Sequence, residues 1–291
     1  MAASSCPASD LRGATASTPL VSVVIRTIGR ASLQRSLDSV ASQTYGPLEV
    51  VIVRARGEAL HFTAPAVDSV RVVGSGSLNR PQAANAGLDA ARGEWLVFLD
   101  DDDRFERNHV QSLLECARGD GAARVAYSAT AGVDADESPV TYLRTPFDRR
   151  KLFRQNYIQI GAALFHRSLV RMGCRFDESL ALMQDWDFWI QLAQRTHFAF
   201  SGEATNLWFF TQGDSGSGAG ANRNAELVNE YGNRIVHKWE LERETLERRL
   251  AHHWMMIQRA LAVGHGDRVQ FHQGAVARLL HGSRQLAPPP I

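Results

Sequence analysis

VSVVIRTIGRASLQRSLDSVASQTYGPLEVVIV, residues 21–53, is the stretch whose reading decides the fold class. It opens with VSVVI (21–25), a short apolar, β-branched run of the kind found in strands covered on both faces. Ser32 then offers an N-cap, and Leu33, Leu37 and Val40 recur at helical spacing, which predicts a helix over 33–43. A second β run, EVVIV, follows at 49–53. Strand, helix, strand over so short a span is the unit from which parallel sheets are built.

Reading outward, the same alternation continues. SVRVV (69–73) predicts a third strand, the Ala-rich 81–91 a helix, WLVFL (95–99) a buried strand and 106–117 another helix. The expected class is α/β: an open, mostly parallel, Rossmann-like sheet flanked by helices. In such sheets ligands bind beyond the carboxyl ends of the strands. The residues to search are therefore Arg26 and Thr27, Arg54 to Gly57, and Asp100 to Asp103.

Composition narrows the partners. The chain has 291 residues, 44% of them hydrophobic and 22% charged, with a formal net charge of +1. That balance gives no global field to hold nucleic acid, so none is expected. Cys6, Cys116 and Cys174 lie far apart without metal-ligand spacing, which fits a reducing, cytoplasmic compartment. No apolar run approaches the roughly 18 residues that span a bilayer, so any contact with the inner membrane is expected to be peripheral. Residues 1–18 lack an apolar core of signal-peptide type and are expected to form a disordered lead-in. A main domain over 19–215 is then followed by a Gly/Ser-rich loop and helical extension over 216–291, with helices at 225–262 and 268–281. Three roles stay open for those helices: packing on the domain, self-association, or contact with a membrane surface.

Two acidic features carry chemistry. Asp100 to Asp103 follow the strand WLVFL directly. Carboxylates so close raise one another's pKa unless a cation sits among them, and a hard divalent ion such as Mg²⁺ or Mn²⁺ would relieve the repulsion. A solvated acidic turn capping the next helix is the plainer alternative. A haloacid-dehalogenase-like phosphatase reading is rejected, because Arg104 stands where that motif wants Thr or Val and the cluster follows the fourth strand rather than the first. In the second feature, MQDWDFWIQLAQR (183–195), Asp185 and Asp187 stand near the start of a helix whose apolar face carries Trp186, Trp189 and Ile190.

Three blocks together resemble the inverting glycosyltransferases of family 2. They are residues 21–53 above, RPQAANAGLDAARGEWLVFLDDDDRF (80–105) and GAALFHRSLVRMGCRFDESLALMQDWDFWIQLA (161–193), in the order that family shows. The resemblance implies a GT-A fold with a C-terminal helical extension and a metal-dependent sugar transferase of hexosyltransferase type. Its donor would be a nucleotide-diphosphate sugar and its acceptor a glycan or lipid-linked hydroxyl, in bacterial surface polysaccharide or glycan synthesis. It further implies donor-binding roles for Thr27, Arg80, Asn85, Asp100 and Asp101, with Asp102 as the direct metal ligand. Asp185 matches the catalytic base, and Trp186 and Trp189 are candidates for part of an acceptor platform, with core packing the plainer account of at least one of them.

Three departures from the family pattern stand out. Arg54-Ala55-Arg56-Gly57 replaces the Asp-Asp-Gly-Ser whose second Asp reads uracil, so another group reads the base, the donor is not a uridine nucleotide, or the donor site is degenerate. Gln184 replaces the usual Glu before the base, and the loop FFTQGDSGSGAGANR has no His, leaving Gln212 or Asp214 as substitutes. A non-catalytic nucleotide- or glycan-binding module is the competing class.

Overall fold

The computed structural model describes residues 18–57, 59–134, 136–209, 225–262 and 266–283. Four parallel strands form the first half of the sheet: β1 (Val21–Thr27), β2 (Leu48–Arg54), β3 (Ser69–Val73) and β4 (Trp95–Asp100), in the order β3-β2-β1-β4. The connecting helices are α1 (Leu33–Ala41), α2 (Arg80–Ala90) and, after β4 and the short β5 (Arg104–Phe105), α3 (His109–Asp120). Then come β6 (Val125–Val133), β7 (Pro139–Leu143), α4 (Arg149–Leu152), β8 (Ala163–His166), α5 (Arg167–Arg171), α6 (Gln184–Ala193) and β9 (Phe198–Phe209). Helices α7 (Ala225–Ala262) and α8 (Gly266–Ser283) complete the described chain.

The sheet continues past β4 as β8-β6-β9-β5, with β7 paired to β6. Here the direction alternates: β8 is antiparallel to β4 and β6, β9 is parallel to β6, and β5 is antiparallel to β9. The expected parallel sheet is thus its first half, and the whole is mixed.

Alternation along the strands explains the two layers. Val24, Val51, Val53 and Phe98 face one side, where α2, α6 and the start of α7 pack. Val23, Ile25, Val50, Ile52, Val97 and Leu99 face the other, under α1 and α3. Every residue of β1 and β6 is buried, as expected of strands covered on both faces. Gly87 lets α2 lie close on the sheet, since a Cβ there would meet Val24 Cγ1 at 2.3 Å. Ser32 precedes α1 as expected but makes no side-chain cap, and α3 starts at His109 rather than 106. α2 carries the stronger signal: Asn79 and Gln82 form a reciprocal capping box. Cys174 is buried and Cys116 half-buried, and burial pushes both thiols up. Among the described residues no helix is long and apolar enough to cross a membrane.

Candidate active site

A cleft of about 600 Å³ opens at the carboxyl ends of β1, β2 and β4. Strand order is the cause. β1 and β4 are parallel neighbours in which Arg26 is the register partner of Asp100, so the residues ending both strands emerge side by side. The guanidinium of Arg26 donates to Asp100 Oδ1 at 2.5 Å. Thr27 Oγ1 donates to Asp101 Oδ2 at 2.6 Å, and Arg30 donates to Asp101 Oδ1 at 2.5 Å.

The four aspartates differ in environment. Burial by itself would raise Asp100, but Arg26, Arg80 and Arg30 outweigh it and hold its carboxyl below the ordinary range. Burial and then the charge of Asp100 push Asp102 up to about 6, against the pull of Arg30 3.6 Å away. Asp103 is also raised well above the ordinary carboxylate range, by burial and then by Asp102 and Asp100, although its Oδ1 accepts the Phe209 N–H at 3.0 Å. One carboxylate oxygen from each of Asp100, Asp102 and Asp103 lies within 4.8 Å of the others. Hard oxygen donors that repel one another suit a hard divalent cation such as Mg²⁺ or Mn²⁺.

Asp185 lines the same cleft from α6. Met183, just before the helix, is left-handed with φ 56°, which sharpens the entry of the chain. Asp185 Oδ1 accepts its neighbour's N–H, from Trp186, at 2.9 Å, and Oδ2 accepts Asn156 Nδ2 at 3.2 Å. Burial raises its pKa, and those two hydrogen bonds with Arg26 act in the opposite direction.

For both tryptophans the structure decides for core packing over an acceptor platform. Trp186 and Trp189 are 3% and 0% exposed, and their indole N–H groups donate to the carbonyls of Leu152 and Ile158. They are core residues whose polar edges are satisfied inside, not a platform for an acceptor. Among the described residues, Trp208 on β9 is the tryptophan that lines the cleft.

The remaining expected residues divide. Thr27, Arg80, Asp100, Asp101 and Asp102 all border the cleft. Within that group Thr27 and Asp101 are nearly fully buried and bonded to each other, so they brace the cleft floor. Asn85 does not line the cleft. Its amide clamps the backbone of Phe176 through both the N–H and the carbonyl, and donates to Glu178. The structure thus places this expected donor-binding residue with its polar side-chain atoms on the Phe176–Glu178 turn. Ala55 borders the cleft with its N–H on Thr27 and its carbonyl on Leu78. Gln212 and Asp214 lie outside the described residues. Arg30 and Asn156 were not singled out from sequence, and Asp103 was named there only as part of the aspartate cluster. Arg30 was findable three residues beyond Thr27, whereas nothing local marks Asn156.

A mixed α/β sheet thus carries, at the carboxyl ends of its parallel strands, one cleft lined by clustered carboxylates and by Arg26, Arg30, Arg56 and Arg80. The family model "Glycosyl transferase family 2" matches residues 22–175, and the chain belongs to that family. Among relatives, the amylovoran biosynthesis glycosyltransferase AmsB of Erwinia amylovora is 28% identical over 58% of this chain and 62% of its own length. The uncharacterized protein y4gI of Sinorhizobium fredii is 25% identical over 75% of this chain but only 25% of its own length. The chain thus spans less than two thirds of both relatives. The crystal structure of S. aureus TarS 1-349 in complex with UDP-GlcNAc aligns with TM-score 0.53 and 15% identity. It covers 67% of this chain and 59% of that one, a likeness that shows the shared GT-A fold alone.

Proposed function

We propose that this chain transfers a sugar, with inversion, from a nucleotide-diphosphate sugar to an acceptor hydroxyl. The observation that carries the reading is one cleft holding both a cation-ready carboxylate cluster and, on another element, the isolated carboxylate of Asp185. Asp102, with Asp100 and Asp103, would hold a divalent cation. When bound, that ion neutralises charge building on the departing diphosphate. Arg80, on the cleft rim, supplies further positive charge toward the phosphates.

Asp185 is the proposed base. Its raised pKa favours taking a proton, and the Trp186 N–H and Asn156 hold its two oxygens in place at the cleft. With Asp185 accepting the proton, acceptor oxygen attacks the anomeric carbon from the face opposite the leaving diphosphate. One displacement of this kind inverts the centre, through charge development like that in glycoside hydrolysis. Ala55 offers no side-chain hydrogen bond, so recognition of the base falls to Arg56 or to backbone groups nearby. AmsB, a glycosyltransferase of amylovoran biosynthesis, supports surface polysaccharide as the setting, with a glycan or lipid-linked acceptor.

The test is release of nucleoside diphosphate from a panel of nucleotide sugars with Mn²⁺ or Mg²⁺. At least one donor should be consumed, and EDTA should stop the reaction. Tight donor binding with no turnover in any acceptor or hydrolysis assay would instead favour the non-catalytic module.

A further inference from the structure

Asp187 is fully buried two residues beyond Asp185, yet it faces away from the cleft chemistry. Its Oδ1 accepts Trp239 Nε1 at 3.0 Å and lies 2.9 Å from Lys238 Nζ, both on α7, while Oδ2 accepts Gln191 Nε2 at 2.8 Å. The same Lys238 ammonium donates to Asp177 Oδ2 at 2.9 Å. Burial opposes charge on Lys238, but Asp187 and Asp177 more than reverse that and raise its pKa.

The contact between α7 and α6 is apolar around this clamp. Ile235 and Trp239 are buried, with Tyr231 packed beside them, following helical spacing on one face. A Cβ on Gly232 would lie 3.6 Å from the Trp186 ring and 3.9 Å from Met183 Sδ, so the helix backbone approaches the turn that launches Asp185. One turn earlier, Val228 lines the cleft itself. Docking alone does not call for a buried ion pair, since apolar residues of similar shape hold helices together as well or better. A hydrogen-bonded charge pair adds direction: it fixes α6 in rotation about its axis. Asp185 sits on the first turn of that helix, so any rotation of α6 about its axis would swing its carboxylate within the cleft.

We propose that Lys238 and Trp239 are positioning residues for Asp185, and that α7 is a working wall of the cleft rather than an appended tail. The inference rests on the transferase reading of the same cleft. Through Asp187 the α7 clamp sets the rotation of α6, and with it the distance from Asp185 to the acceptor hydroxyl.

The experiment uses the full chain with Lys238→Met and Lys238→Arg. Lys238→Met should lower kcat at least tenfold while donor Kd changes less than threefold, and Lys238→Arg should recover most of the loss. Hydrogen exchange at amides 183–187 should accelerate at least tenfold in Lys238→Met, with amides 21–27 unchanged. That second readout needs no turnover, so an inactive wild-type chain would sink the transferase reading while exchange still judged the clamp. If Lys238→Met does not fold, the double variant Asp187→Asn/Lys238→Met removes both charges and is read the same way. Unchanged exchange at 183–187, or kcat per folded molecule within twofold of wild type, overturns the proposal.

Discussion

The backbone N–H of Phe209, the last residue of β9, donates to Asp103 Oδ1 at 3.0 Å across 106 residues of sequence. This bond fastens one wall of the cleft to the aspartate cluster. Asp103→Ala leaves a buried N–H without an acceptor and should cost about 1–3 kcal/mol. Asp103→Asn keeps an acceptor oxygen and removes one of the mutually repelling charges, so it should stabilise the metal-free protein. Urea unfolding in EDTA gives the order: Asn above wild type, and wild type above Ala. An asparagine variant less stable than the alanine variant would mean that the charge of Asp103 is itself stabilising.

The raised carboxyl of Asp102 sets a pH dependence. In the folded protein it titrates at about 6, against 3.8 ordinarily, so between those values the folded state holds more protons than the unfolded. Stability contributed by this group therefore falls as pH rises from about 4 through about 6, and stays lower above. The shift is worth a few kcal/mol at most, since one pKa unit is about 1.4 kcal/mol. Asp103 acts in the same direction and Asp100 in the opposite one. A cation competing with those protons should raise the Tm more at pH 7.5 than at pH 5. Equal Mn²⁺ shifts at the two pH values would take Asp102 out of the metal site.

Arg30 is the residue most clearly needed by a buried neighbour. Asp101 has 2% of its side chain exposed, and Arg30 is its charge partner. Arg30→Met strands that carboxylate, and breaking such a pair costs about 3–5 kcal/mol. A Tm within a degree of wild type would show that Thr27 and the Ile28 N–H satisfy Asp101 without it.

Gly232 tests the packing of α7 in the other direction. Glycine inside a helix is about 1 kcal/mol worse than alanine. The new methyl group would meet Trp186 and Met183 at ordinary contact distances. Gly232→Ala should raise the Tm without loss of turnover, and a destabilised variant would mean that the added methyl group lies nearer the Trp186 ring than 3.6 Å.

The parallel half of the sheet was legible because apolar β-branched runs, helical spacing and Asp residues at strand ends all agree. The strands β1 to β4 fall within two residues of where the pattern puts them. The second half was not legible. A run such as VAYSATAGV (125–133) is buried throughout and carries no sign of which way its neighbours point. Asp102 and Asp185 could be named because they stand in recognisable local patterns, whereas Asn156 and Lys238 matter only through partners far along the chain. Trp186 and Trp189 stayed open between core and platform for a related reason: periodicity shows that an aromatic lies on a face, not whether its indole N–H finds a carbonyl inside. Asp187, two residues from Asp185 on the same helix, is buried against Lys238, so it cannot serve as a neutral comparison for Asp185 in mutagenesis.

The most direct measurement is turnover of Asp185→Asn at saturating donor, acceptor and Mn²⁺, followed as nucleoside diphosphate released. Asparagine keeps the shape and can still accept the Trp186 N–H, but it cannot take a proton from the acceptor. The expected result is a fall in kcat of about a hundred- to ten-thousand-fold, with donor affinity and Tm nearly unchanged. Turnover within a few-fold of wild type would contradict a catalytic base at this position and turn the assignment toward a binding module.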